Sequence, residues 1–81
     1  MDKNRLFWAS RRGMLELDLI LLPFAENVYP HLDIEDQQHY VQLLDCEDQD
    51  LFAWLLRRNE PEDEETRAIV SIVLSSRDSI S

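Results

Sequence analysis

Few residues in this chain could do chemistry. His39 and Cys46 are the one pairing that could supply a base and a nucleophile. On one helix their seven-residue separation puts them about 10 Å apart along the axis, beyond hydrogen-bond reach. His31, His39, Cys46 and the neighbouring acids do not match a zinc-ligand spacing, so no metal site is expected. A single glycine excludes a Gly-rich phosphate loop. The many carboxylates read more simply as a solvated acidic face. What remains is a binding constellation, Arg11-Arg12-Gly13-Met14-Leu15-Glu16-Leu17-Asp18. Its glycine stands between two arginines and an apolar run, and Gly permits backbone angles that other residues resist. One helix can end there and a second begin at a sharp angle. Arg12 and Glu16 then lie one helical turn apart. They can form a surface ion pair, worth about 0–1 kcal/mol, or be recognised by something else.

The elements that must position this corner follow from caps and periodicity. Asn4 to Ser10 is expected as a short helix, with Leu6, Phe7 and Trp8 as its apolar mass and arginines at the negative end of its dipole. Leu15 to Leu19 alternates as a strand would. Its Leu, Met and Glu residues favour a helix, the run Leu19 to Leu22 breaks the alternation, and no second strand is on offer. One mostly buried helix is expected from about Met14 to Val28, kinked at Pro23 and ended by Tyr29-Pro30. Asp33 should cap a third helix running to about Leu44, with Tyr40, Val41 and Leu44 inward. Asp48 or its neighbour should cap a fourth, which carries Leu51, Phe52, Trp54, Leu55 and Leu56. Arg57 and Arg58 would close its last turn, Asn59 would take the left-handed cap, and Pro61 would stop it. The acids from Glu62 to Glu65 suit the start of a fifth helix, with Ile69, Ile72 and Val73 as its inner stripe. Residues 75–81 are polar and expected to fray. The expected fold is all-α, a compact single-domain bundle of about five short helices over residues 1–81. Trp54 and Phe52 are expected as large contributors to its core.

The totals bound the function. Eighty-one residues make one small domain. The net charge is −9, and residues 13–56 hold ten acids and no Lys or Arg. Such a body repels phosphate backbones, which argues against nucleic acid and favours a basic protein surface as partner. One Cys fits a reducing compartment. The longest apolar run, Leu19 to Leu22, is far too short to span a bilayer. A soluble, cytoplasmic monomer is expected, without enzymatic activity and without membrane insertion. By themselves the residues support a helical interaction module of unspecified purpose.

At Arg12-Gly13-Met14-Leu15-Glu16 the chain resembles the SdhE-type succinate dehydrogenase assembly factors. These FAD assembly factors include the mitochondrial succinate dehydrogenase assembly factor 2 proteins. Their hallmark is Arg-Gly-x-x-Glu, here Arg12, Gly13 and Glu16. The flanks agree too: Trp8-Ala9-Ser10-Arg11 before it, Leu17-Asp18 and Pro23-Phe24 after it. So do Leu43-Leu44-Asp45-Cys46-Glu47-Asp48 and Asp50-Leu51-Phe52-Ala53-Trp54-Leu55 further on. The resemblance implies a small helical bundle that binds the flavoprotein subunit of succinate dehydrogenase, and in bacteria often that of fumarate reductase. It further implies that the factor promotes covalent attachment of FAD to that subunit and binds no cofactor stably itself. The docking surface so implied holds Arg12, Gly13 and Glu16, with Arg11 and Asp18 beside them. A regulatory, antitoxin-like interaction module with another protein partner is the competing reading.

Overall fold

The computed structural model describes residues 2–79, apart from the Ser79 side chain. Five α-helices follow in order: α1 Lys3–Ser10, α2 Leu15–Asn27, α3 Ile34–Leu43, α4 Asp48–Leu55 and α5 Glu64–Ser79. A 3₁₀ turn, Tyr29–His31, links α2 to α3. No strand occurs among the described residues. The all-α bundle expected from the sequence is the fold observed.

Short side chains set most of the starts. Asp2 accepts the Arg5 N–H at 3.0 Å and caps α1. Asp33 accepts the Asp36 N–H at 2.8 Å and caps α3. Asp63 accepts both the backbone N–H and the hydroxyl of Thr66, each at 3.0 Å, at the start of α5. Those bonds hold the Asp63 carboxyl below the usual carboxylate range. The fourth helix starts at the expected place but without a side-chain cap. Its cap position is Glu47, whose side chain makes no capping bond, and Asp48 is engaged elsewhere.

The end of α4 departs from expectation. Arg57, not Asn59, takes the left-handed conformation, with φ +61°. The Arg58 N–H then bonds the Ala53 carbonyl at 2.8 Å and the Arg57 N–H bonds that of Trp54 at 3.2 Å. This is the Schellman pattern, in which glycine is the usual occupant. A non-Gly residue there costs about 1–2 kcal/mol. Helix α5 continues through Ser79, so the segment expected to fray is helical up to that residue; residues 80 and 81 lie outside the described ones.

The core is built by one arc of each helix. On α2 the buried residues are Leu17, Ile20, Leu21, Phe24 and Ala25, a clean i, i+3, i+4, i+7, i+8 line. Leu6 and Ser10 of α1, Tyr40 and Leu43 of α3 with the adjoining Leu44, Leu51 and Leu55 of α4, and Ile69, Val70 and Val73 of α5 complete it. Phe52 and Trp54 are only half-buried and pack against the edge of this core. The inward line of an eight-residue helix is already taken by Leu51 and Leu55, which leaves the two aromatics to either side. Likewise Val41 and Ile72 are half-buried, and Val70 takes the place expected for Ile72.

Tyr40 is the aromatic centre. It is fully buried, with the Phe24 ring centroid 4.9 Å away and that of Tyr29 at 5.6 Å. Its hydroxyl pairs at 2.8 Å with that of Ser10, the one buried polar residue among those described, and so fastens α1 to α3. Burial pushes the Tyr40 phenol up to about 12. Tyr40→Phe should cost about 1–2 kcal/mol, because the Ser10 hydroxyl is left buried without its partner. Adding Ser10→Ala should recover part of that loss in a double-mutant cycle of urea midpoints. The phenol pKa is raised in the folded state, so the stability it contributes is full below about 10 and is lost as pH rises to about 12. Urea midpoints taken across that window should fall less steeply in Tyr40→Phe than in the wild type.

Candidate functional site

The corner between α1 and α2 is set by Gly13, whose φ is +78°. A Cβ built on Gly13 would meet nothing within 4 Å. Glycine is therefore required here by backbone conformation and not by crowding within the chain, and its outer side is open.

Arg12 fixes the corner to the rest of the bundle. Its Nε donates to Asp48 Oδ1 at 2.7 Å. Nη1 donates to the carbonyls of Ala9 and Leu44, both at 2.9 Å, and Nη2 to that of Cys46 at 3.2 Å. One planar guanidinium thus joins the end of α1, the end of α3, the α3–α4 connection and the first residue of α4. A cation is favoured at the two helix C-termini, and the fork of donors is what a lysine lacks. The side chain is only 18% exposed. The Arg12 backbone N–H donates at 2.8 Å to Asp18 Oδ1, which draws the first turn of α2 back over the corner.

The five residues expected to form a docking surface therefore divide. Arg11, Gly13 and Glu16 are exposed. Arg12 and Asp18 are turned to contacts within the chain. The Arg12–Glu16 pair that the spacing allows does not form, because Asp48 and three carbonyls occupy the guanidinium. Glu16 has no ion-pair partner among the described residues. Arg11 lies over the Trp8 ring at 5.6 Å, and Trp8 meets Phe7 edge-on at 5.8 Å.

Sequence reasoning missed the apolar part of this surface. Leu15 and Leu19 are each 67% exposed and Trp8 is 62% exposed. The signal was present in the helical register. With about 100° per residue, Leu15 and Leu19 lie about 160° and 200° from Leu17, on the side away from the core. Glu16 lies about 60° from Leu19 on the same outer arc. The overall apolarity of α2 hid this division.

Nothing in the described structure joins His39 to Cys46. The imidazole faces Glu65 at 3.7 Å. Burial, then Asp50 and Asp45, push the Cys46 thiol up, which disfavours its nucleophilic form. No group of three or more His, Cys, Asp or Glu residues among the described ones is arranged to hold a metal ion. No described helix is long and apolar enough to cross a membrane.

A family model described as the flavinator of succinate dehydrogenase matches residues 4–76. The chain belongs to this flavinator family. Curated relatives include the FAD assembly factor SdhE of Pseudomonas aeruginosa, 57% identical over 73 residues that cover 90% of this chain and 87% of that protein. That of Pseudomonas putida is 58% identical over 73 residues, with the same coverage. That of a Serratia species is 43% identical over 72 residues, covering 89% of this chain and 82% of its own. In this member of the family the corner bearing Arg12, Gly13 and Glu16 has an internal half and an outward half.

Arg12→Ala should destabilise the fold by about 2–3 kcal/mol, since two helix-end carbonyls and Asp48 lose a charged donor together. For a domain of this size that lowers the melting temperature by roughly 10–20 °C. Arg12→Lys should recover only a minor part. Differential scanning calorimetry of the three proteins decides between this and a surface role, for which the melts would coincide.

Proposed function

We propose that the chain binds the flavoprotein subunit of succinate dehydrogenase and promotes the covalent attachment of FAD to it, as a helper that is not itself the catalyst. The same role is proposed toward the flavoprotein of fumarate reductase. The observation that carries this reading is the open, outward half of a clamped corner, in a chain that belongs to the flavinator family. Arg11, Gly13 and Glu16 supply its polar contacts, and Trp8, Leu15 and Leu19 its apolar ones. Gly13 leaves room for a partner backbone to approach, since no side chain stands on its outer side. Glu16 offers an unpaired acceptor to a basic or amide group. The two leucines give up water when covered, worth about 1.5–3 kcal/mol for each side chain fully buried.

A rigid docking surface suits a positioning role. Holding two reacting groups in a competent arrangement can lower a barrier without adding a catalytic group. FAD is on this reading the group being attached to the partner, not a resident cofactor of the chain. The factor acts as a monomer in the cytoplasm.

Glu16→Ala and Leu19→Ser separate recognition from folding. Both side chains are exposed, so each change should alter stability by under about 0.5 kcal/mol. Loss of a charged contact in a desolvated interface can cost 2–5 kcal/mol, so Glu16→Ala should weaken partner binding by roughly thirtyfold or more. Leu19→Ser should weaken it by about tenfold. The measurement is in-gel flavin fluorescence of the flavoprotein subunit at limiting factor, with thermal melts alongside. Wild-type fluorescence from both variants would remove this face from the docking surface.

A further inference from the structure

The groove between α4 and α5 is separate from the corner and has its own chemistry. It encloses about 580 Å³, within the size range of ligand sites. Trp54, Val70 and Leu74 give it apolar walls, and Arg57, Arg58 and Arg67 line it as well. Three of the chain's eight basic residues thus gather here, against Glu60 as the one acid of the lining. In a chain of net charge −9 this is a local reversal of sign.

The arginines are presented, not merely exposed. Arg57 sits at the left-handed position that usually goes to glycine, and such residues gather at functional sites. Its Nη2 donates to Asp78 Oδ2 at 2.6 Å, so a carboxylate already fits this guanidinium. Arg58 lies over the Phe52 ring at 5.4 Å. Arg67 is exposed and has no carboxylate within ion-pair distance among the described residues. Trp54 packs its inner side on the core and leaves the rest to the groove. Half-buried Trp with neighbouring Arg is the composition of binding hot spots.

We propose that the α4–α5 groove is a second protein-binding site, which takes a short polypeptide segment carrying an aromatic or large apolar side chain flanked by carboxylates. The apolar side chain packs against Trp54, Val70 and Leu74, and the carboxylates pair with Arg57, Arg58 and Arg67. Charge complementarity selects this occupant. A nucleic acid or anionic membrane brings an extended field that the acidic body repels. A compact phosphate group would meet Glu60 and leave the apolar walls uncovered. Glu60 and the Asp78 carboxylate on Arg57 oppose the segment's carboxylates as well, so these reach chiefly Arg58 and Arg67, while the segment's apolar side chain, which a phosphate lacks, covers Trp54, Val70 and Leu74.

The test is a ¹⁵N NMR titration of the full chain with the acetylated, amidated pentapeptide Glu-Leu-Phe-Glu-Glu. Its counterpart with Gln for each Glu and inorganic pyrophosphate serve as comparisons. Saturable shifts at the Trp54 indole N–H and at the Val70 and Leu74 amides are expected with the acidic peptide. Arg67→Glu should weaken that binding about tenfold. Arg57→Gly should weaken it several-fold while the melting temperature holds or rises, because glycine suits the left-handed position. Equal affinity for the Gln peptide, shifts that centre on Trp8 and Leu15 instead, or no saturation in the millimolar range would overturn the proposal. Shifts at Trp54 with pyrophosphate and none with the peptide would also overturn it, and make the groove a phosphate site.

Discussion

The bundle depends on one guanidinium. Arg12 reaches carbonyls at the ends of α1 and α3, a carbonyl in the α3–α4 connection and the carboxylate that opens α4. The Ala9 and Leu44 carbonyls are at helix ends, where intrahelical partners run out. A small domain has little hydrophobic surplus with which to leave such groups unmet; a core of this size gives roughly 3–5 kcal/mol net. The Tyr40–Ser10 hydroxyl pair is the second tie between α1 and the body. Together they make α1 and the corner a fixed part of the structure, although only Leu6 and Ser10 of α1 are buried.

Much of this was legible from the sequence, and the reason is locality. Asp33 caps α3 because its partner is three residues away, and the stripe of Ile69 and Val73 is read from spacing alone. What escaped was set at long range. Arg12 finds Asp48, 36 residues on, and Leu44, 32 residues on. Nothing in the local pattern distinguishes that Asp48 from a helix cap, or that Arg12 from half of an i, i+4 pair with Glu16. Trp54 failed differently. Residue type suggested the core, but Leu51 and Leu55 already filled the inward line of a short helix. At Arg57 the rule for left-handed caps pointed to Asn59, two residues late, because the hydrogen-bond pattern that ends α4 fixes the position and not the residue type.

The motif Arg-Gly-x-x-Glu is thereby split by geometry. Its arginine is spent on the fold, its glycine on a backbone angle, and its glutamate is left for something outside. A residue that holds a docking surface in place and a residue that touches the partner produce the same loss of function when removed. They differ in whether the free protein still melts normally. Asp18 belongs with Arg12 in this respect, because it holds the corner's backbone. Arg11 belongs with Glu16, since its side chain lies on Trp8 at the surface.

Helix α2 buries one arc in the core and exposes Leu15 and Leu19 on the opposite one. Two outward leucines beside an exposed Trp8 would ordinarily invite copies of the chain to associate. With a net charge of −9, each copy carries a field that opposes such association. A partner whose counter-surface is basic feels the opposite field and gains the same apolar burial. On the proposed reading, the charge would select which surfaces approach, and the clamped corner would fix the geometry in which the leucines and Glu16 meet them.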